Sequence, residues 1–201
     1  EQHRQAAIDD VLGADPPPFL SLDAYVIIWS IVGPYVSSER PAEVEAVDAL
    51  VIPGGESSVQ DKLVRAFGLC EPLERRLADG MPVLGSCAGM IMLARDLVDG
   101  IDGQETLGAI PMTVRRNAFG RPVDSSEMTI DWIDGSPMHA TFIRAPWVEA
   151  WDSSVEVLAS VHADGVEHPV AVRFGNAIAT SFHPEISGDS RVHALLTEAI
   201  D

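Results

Sequence analysis

The stretch from Met81 to Leu93, MPVLGSCAGMIML, restricts more than any other how this chain can fold. A short apolar run, Met81-Pro82-Val83-Leu84, meets Gly85-Ser86-Cys87-Ala88-Gly89 and then an apolar run with helical character. A strand that turns at once into a helix through G-x-C-x-G is the thiol counterpart of a nucleophile elbow. Its glycines permit a turn that a Cβ would obstruct, and the apical side chain is held out at the sheet edge. Cys87 then stands at a helix N-terminus, where unpaired N–H groups and the dipole favour a thiolate. The same residues also fit a cysteine that is simply buried, because free cysteine is among the most buried residue types. A nucleophile needs a base, an orienting acid and an oxyanion site, so the rest of the chain decides between the two readings.

Upstream, Ala49-Leu50-Val51-Ile52 reads as a buried strand of the parallel type, and Pro53-Gly54-Gly55-Glu56-Ser57-Ser58 follows directly. Two glycines there let backbone N–H groups approach a ligand, and Ser57 or Ser58 can cap the next helix. That helix carries Val59, Leu63 and Phe67 on one face and stops at Gly68; a second, Glu71 to Ala78, stops at Gly80. Strand, glycine loop, helix, strand, elbow, helix is an α/β order with parallel strands, whose sites lie beyond the strands' carboxyl ends. Downstream of Gly100 strands are expected at Gly108–Val114, Met128–Ile133 and Ala140–Ile143. Val155–Val161, Val170–Arg173 and Ala177–Ser181 alternate like adjacent antiparallel strands, with Gly175-Asn176 as a hairpin turn, and Arg191 to Ile200 reads as a closing helix. Before Ala49, the expectations are a helix at Gln2–Leu12, a proline connector at Asp15–Pro18, one or two strands in Val26–Val36 and a short helical or turn segment at Pro41–Val47.

The candidate base for Cys87 is His183, which follows a strand and is held by Pro184, although alone it also fits a surface or hydrogen-bonded loop histidine. Glu185 lies two residues on, so an extended His-x-Glu would aim both side chains to one side and complete a Cys-His-Glu triad. The N–H groups of Ala88 and Gly55 are candidate oxyanion donors. Arg116, in a basic loop of an acidic protein, and Arg144 are candidates for a substrate carboxylate, which arginine takes through a fork of parallel donors. The other histidines, His3, His139, His162, His168 and His193, have no comparable context and read as solvent-facing.

A formal net charge of −18 argues against a nucleic-acid or anionic-membrane partner, and 201 residues suit one domain with its own core. The two cysteines, Cys70 and Cys87, have neither framework nor metal-ligand spacing, which points to a reducing, cytoplasmic setting and to no metal site. The most apolar stretch, Ala24 to Val36, is too short to span a membrane and is broken by Gly33-Pro34.

PGGESS, GSCAGMIMLA, RRNAFGRPVDS, FIRAPW and SFHPE occur in this order, and together they resemble the glutaminase subunit of pyridoxal 5′-phosphate synthase. That family belongs to the class I (triad) glutamine amidotransferases. G-x-C-x-G and HPE identify the superfamily, and the RRNAFGR and FIRAP segments narrow it. The resemblance runs from about Arg40 to the C-terminus. It implies a three-layer α/β/α, flavodoxin-like fold with a mixed, mostly parallel central sheet, and one glutaminase domain over 1–201. Cys87 matches the family nucleophile, His183 its base and Glu185 its third triad member. Gly55, Glu56 and Ser57 match the loop that holds glutamine, and Arg116, Ile143 and Arg144 match the remaining binding residues. L-glutamine is then the substrate, no cofactor is needed, and the partner is a synthase subunit in a hetero-oligomeric complex.

Residues 1–43 depart from the family pattern. The family opens with a strand ending in Gln-Gly and a helix carrying Glu-His, whereas this chain opens on Glu1-Gln2-His3, which is similar to that helix. Pro16 to about Ser38 is roughly twenty residues longer than family spacing, beyond ordinary connections. Either Val26–Val32 replaces the family's first strand beside Leu50 and Leu84, or the chain is a truncated or altered version. Two other readings stand beside the glutaminase: another class I-fold cysteine hydrolase or amidotransferase, and a catalytically impaired relative acting as a binding protein.

Overall fold

The computed structural model describes residues 41–119, 125–163, 165–187 and 189–200. Helix α1 (Pro41–Ala46) leads to strand β1 (Leu50–Ile52), helices α2 (Ser57–Ala66) and α3 (Cys70–Ala78), strand β2 (Val83–Ser86) and helix α4 (Ala88–Leu93). Then follow β3 (Ala94–Val98), β4 (Ile110–Arg115), β5 (Ser125–Asp131), β6 (Pro137–Ile143), β7 (Trp147–Trp151), β8 (Glu156–Ala163), β9 (Val166–Phe174) and β10 (Ala177–Thr180). Helices α5 (Pro184–Ser187) and α6 (Arg191–Glu198) close the chain.

The main sheet has five strands in the order β1-β2-β10-β9-β8. β1 and β10 flank β2 in parallel, whereas β9 and β8 add as antiparallel hairpin strands, so the sheet is mixed. β1 and β10 fill both flanks of β2, and β1 forms an edge of the described sheet. The expected Val26–Val32 strand and the Gln2–Leu12 helix lie outside the described residues. Gly175-Asn176 is the two-residue turn between β9 and β10, with Gly175 at φ 56°, as its sequence demanded.

Side chains alternate across each strand, and the three parallel strands share one alternation. Leu50, Ile52, Val83, Ala177 and Ala179 face one layer with Leu63 and Val64 of α2, Leu73 of α3 and Met90 of α4. Leu84 and Ile178 face the other, with Val192 and Leu196 of α6 and Trp132, Met138 and Phe142 from the β5–β6 hairpin. Helices on both faces make the three layers. Each fully buried leucine or valine in these layers contributes about 1.5–3 kcal/mol relative to an exposed one.

Two strands escape the sequence reading, β3 and β7. They flank β4 in a second, three-stranded sheet, parallel on the β3 side and antiparallel on the β7 side. Arg95 and Asp96 give β3 no apolar alternation, and β7 begins at Trp147 straight after Pro146. The β2 strand runs to Ser86, two residues beyond the predicted end, and so delivers the chain directly to Cys87. Among the described residues no helix is long and apolar enough to cross a membrane.

Candidate active site

Because β1, β2 and β10 are parallel, their carboxyl ends share one edge. Pro53–Glu56, Cys87 and Ser181–His183 leave from that edge, so three segments distant in sequence meet. The elbow is as tight as its glycines suggested. A Cβ on Gly89 would lie 2.0 Å from the Ile52 carbonyl oxygen, and one on Gly85 would lie 2.6 Å from the Gly89 backbone. Cys87 itself sits at φ 50°, ψ −103°, a sparsely populated region for a residue with a side chain. Its N–H donates to the Thr180 carbonyl at 2.7 Å, which ties the elbow to β10, and the residue is only 7% exposed. Its Sγ lies 3.8 Å from the Ile143 carbonyl oxygen.

His183 is fixed from three sides. Its N–H donates to the Thr141 carbonyl at 3.1 Å, its ring lies so close to Gly54 that a Cβ there would come within 2.3 Å of Cε1, and its Nδ1 meets Glu185 Oε1 at 2.8 Å. With Nδ1 held by the carboxylate, Nε2 is the ring nitrogen left free to exchange a proton with a thiol. Burial by itself pulls the imidazole down. The bonds to Cys87 and Glu185 outweigh that and push it up to about 10, so the imidazolium form holds through neutral pH. Burial likewise favours a neutral Glu185, yet the bond to His183 keeps that carboxyl below the usual range. The His-Pro-Glu segment is not extended, as the sequence reading had it. Pro184 opens α5, and Glu185 reaches His183 from the first helical turn.

Cys87 also lines a cleft with Gly55, Glu56, Ser57, Ala88, Ile91 and Arg116, and Asn117, Ile143 and Arg144 complete it. Every residue predicted for substrate or oxyanion binding is in this lining. As first residue of α4, Ala88 offers an N–H that no intrahelical carbonyl takes. Gly55 has φ 142°, a conformation that its lack of a Cβ permits. The cap of α2 is Glu56 rather than a serine: its carboxylate accepts from the Ser58 N–H at 3.4 Å and the Ser58 hydroxyl at 3.1 Å. Glu56 Oε1 also takes Arg116 Nη2 at 2.6 Å, while Arg116 Nη1 donates to Gln104 Oε1 at 3.1 Å. Arg144 is exposed and held at φ 47°.

Asn117, Ile91 and Gln104 were missed. Of these Asn117 carried a signal, since asparagine tolerates the left-handed conformation that it adopts here at φ 49°. Cys87, Asn117 and Arg144 are three of the four non-glycine residues with positive φ among the described residues, and all three line the cleft. Backbone strain therefore collects at this one place, as it does at functional sites. His168 is not free in solvent as expected, because it stacks on Trp147 at 3.8 Å between ring centroids. Among the described residues no group of three His, Cys, Asp or Glu side chains could hold a metal ion.

A sequence model of the SNO glutamine amidotransferase family matches residues 29–201. The pyridoxal 5′-phosphate synthase subunit PdxT of Mycolicibacterium vanbaalenii is 58% identical over 166 residues, covering 80% of this chain and 83% of that one. Its namesake from Acidothermus cellulolyticus is 57% identical over 171 residues, 82% of this chain and 81% of that one. A crystal structure of a glutamine amidotransferase superposes with a TM-score of 0.73 at 32% identity, covering 99% of this chain and 93% of that one.

Proposed function

The chain belongs to the SNO glutamine amidotransferase family, and from that premise we propose that it is the glutaminase subunit of a pyridoxal 5′-phosphate synthase, hydrolysing L-glutamine to L-glutamate and ammonia. One observation carries the residue-level reading. Cys87 lines one cleft with Gly55, Glu56, Ser57, Arg116, Ile143 and Arg144, and His183, paired with Glu185 at 2.8 Å, leaves the sheet at the same edge.

The reaction balances with water alone. Cys87 thiolate attacks the carboxamide carbon, and the oxygen that becomes negative is received by the N–H groups of Gly55 and Ala88. The His183 imidazolium gives its proton to the departing nitrogen as the C–N bond breaks, which releases ammonia and leaves a γ-glutamyl thioester. His183, now neutral, takes a proton from water as its oxygen attacks the thioester carbon. The C–S bond then breaks, glutamate leaves, and thiolate and imidazolium are restored. Glu185 keeps Nδ1 protonated, so that Nε2 is the nitrogen that exchanges the proton. Arg116 and Arg144 take the substrate's α-carboxylate, and the Glu56 carboxylate suits its α-ammonium group.

On this reading the whole chain is one glutaminase domain working in the cytoplasm, where its thiol stays reduced, and the ammonia passes to a synthase subunit within a hetero-oligomeric complex. The test is ammonia release from L-glutamine, with and without the synthase subunit, for wild type and Cys87→Ala. Little release by the chain alone, stimulation by the partner and loss in Cys87→Ala are expected. Activity that survives Cys87→Ala sinks the mechanism, and a wild type that stays inert with its partner sinks the function.

A further inference from the structure

Arg116 and Arg144 are the cations lining the cleft, and Arg116 is only 10% exposed, so its guanidinium has little freedom to search for a ligand. Whatever holds it decides where its remaining N–H groups point. Two groups do so: Glu56 at Nη2 and Gln104 at Nη1. Gln104 comes from the connection between β3 and β4, and its Nε2 donates to the hydroxyl of buried Ser57 at 3.0 Å. One carboxamide thus spans two walls of the cleft, accepting from Arg116 on one and donating to the first residue of α2 on the other. Its loop is fastened in turn. Arg65 Nη2 donates to the Gly103 carbonyl at 3.0 Å, the Glu105 N–H donates to Asp61 Oδ2 at 3.2 Å, and the Leu107 N–H donates to the Met92 carbonyl at 2.7 Å. Asp61 is itself buried and paired with Arg65 at 2.5 Å. Gln104 does not line the cleft, so any part it plays is exerted through the residues that do.

We infer that Gln104 is the positioning residue of substrate recognition, aiming Arg116 and Ser57 at the α-amino-acid end of glutamine and leaving Arg116 its charge for the substrate carboxylate. The inference rests on the glutaminase reading. Its second half follows from side-chain chemistry. An amide oxygen accepts from a guanidinium without neutralising it, and the amide nitrogen can donate to Ser57 at the same time. A carboxylate in that place, added to Glu56, would put two anions on one guanidinium and compete with the substrate for it.

The experiment uses the full chain with its synthase subunit and compares wild type, Gln104→Leu and the near-isosteric Gln104→Glu. Steady-state ammonia release gives KM and kcat. Inactivation by 6-diazo-5-oxo-L-norleucine probes the amino-acid site, and alkylation of Cys87 by iodoacetamide, followed by mass spectrometry, probes the nucleophile without it. Gln104→Leu is expected to raise KM about tenfold, the loss of one hydrogen bond to a charged group, with kcat held within about twofold. The diazo analogue should react about tenfold more slowly and iodoacetamide at the wild-type rate. Gln104→Glu should raise KM as well, and more at low ionic strength than at high. An unchanged KM in both variants overturns the inference. So does iodoacetamide alkylation that slows in step with the analogue, because the cleft has then merely collapsed. A wild type that ignores glutamine and the analogue, yet is alkylated at Cys87, refutes the parent reading instead.

Discussion

Replacing Gly89 by alanine sets two physical effects of opposite sign against each other. Gly89 is the second residue of α4, and in a helix alanine is worth up to about 1 kcal/mol over glycine, so propensity alone predicts a more stable protein. The structure predicts the reverse. The new Cβ would lie 2.0 Å from the Ile52 carbonyl oxygen, 2.9 Å from its carbon and 3.2 Å from the Ile52 Cβ. The first two are backbone atoms of β1, and they cannot rotate aside as a side-chain tip does. Since a Cβ contact below 3.0 Å is essentially never seen, α4 and β1 must part by about 1 Å. Overpacking costs about 1–3 kcal/mol, and a 2.0 Å approach to backbone belongs at the upper end, so about 2 kcal/mol of loss remains after a propensity gain of up to about 1 kcal/mol. Activity should suffer more than stability. Ile52 leads directly into the Gly54–Gly55 loop and Gly89 is two residues from Cys87, so the gap opens between nucleophile and oxyanion donor. A misplacement of about 1 Å can cost about 100-fold in rate. Urea unfolding should show a lower midpoint with an unchanged slope, and ammonia release with the synthase subunit should fall by about that factor. A midpoint at or above wild type would falsify the close approach of helix to strand from which the elbow is argued.

Three further outcomes test other parts of the site. The His183 imidazole should stay protonated to about pH 10 by NMR, and Cys87→Ala should lower that titration by removing one of the two bonds that raise it; identical titrations would remove the thiol from the pair. Because its folded value lies above the unfolded one, the stability that His183 supplies is fully present below about pH 6.5 and is lost as pH rises through about 10. Arg144→Ala should raise the KM for glutamine far more than it lowers kcat, and an unchanged KM would take Arg144 out of the binding role. Phe142→Leu should lower stability by about 1–2 kcal/mol and slow catalysis together, since Phe142 packs on Phe119 at 4.7 Å and on Phe182 at 5.8 Å. Lost stability with wild-type kinetics would make that contact structural only.

How far the site was legible depended on where each residue's conformation is decided. The elbow's signal is local, since both glycines fall within five consecutive residues, although the atoms that exclude a Cβ at Gly89 belong to Ile52 of β1. The turn at Gly175-Asn176 is of the same kind. The β3 strand is not, because Arg95 and Asp96 lie in a strand only through pairing with β4, sixteen residues on in the case of Ala94 and Ile110. Gln104 belongs to this second class. Within its own loop it meets only Ile101, and the bonds that give it a part in the site run to Arg116 and Ser57, 12 and 47 residues away. The His-Pro-Glu segment falls between the two, since Pro184 at the first position of a helix was a local signal, and the period-2 argument for an extended pair read past it.

The three phenylalanines show why reading the motifs one by one understates how they work together. Phe119, Phe142 and Phe182 stand just after Arg116-Asn117, just before Ile143-Arg144 and just before His183. Each follows the apolar pattern of its own segment and carries no chemistry. In the fold their rings meet, so the two substrate arms and the catalytic arm share one buried aromatic support. Thr141, next to Phe142, also accepts the His183 N–H, and Ile143, on the other side, offers its carbonyl to Cys87. The segment from Thr141 to Arg144 therefore touches the base, the nucleophile and the substrate cleft within four residues. A shift of β6 along its axis would move all three at once, which is why the expected effect of Phe142→Leu is a fall in kcat and in kcat/KM together rather than a change in KM alone.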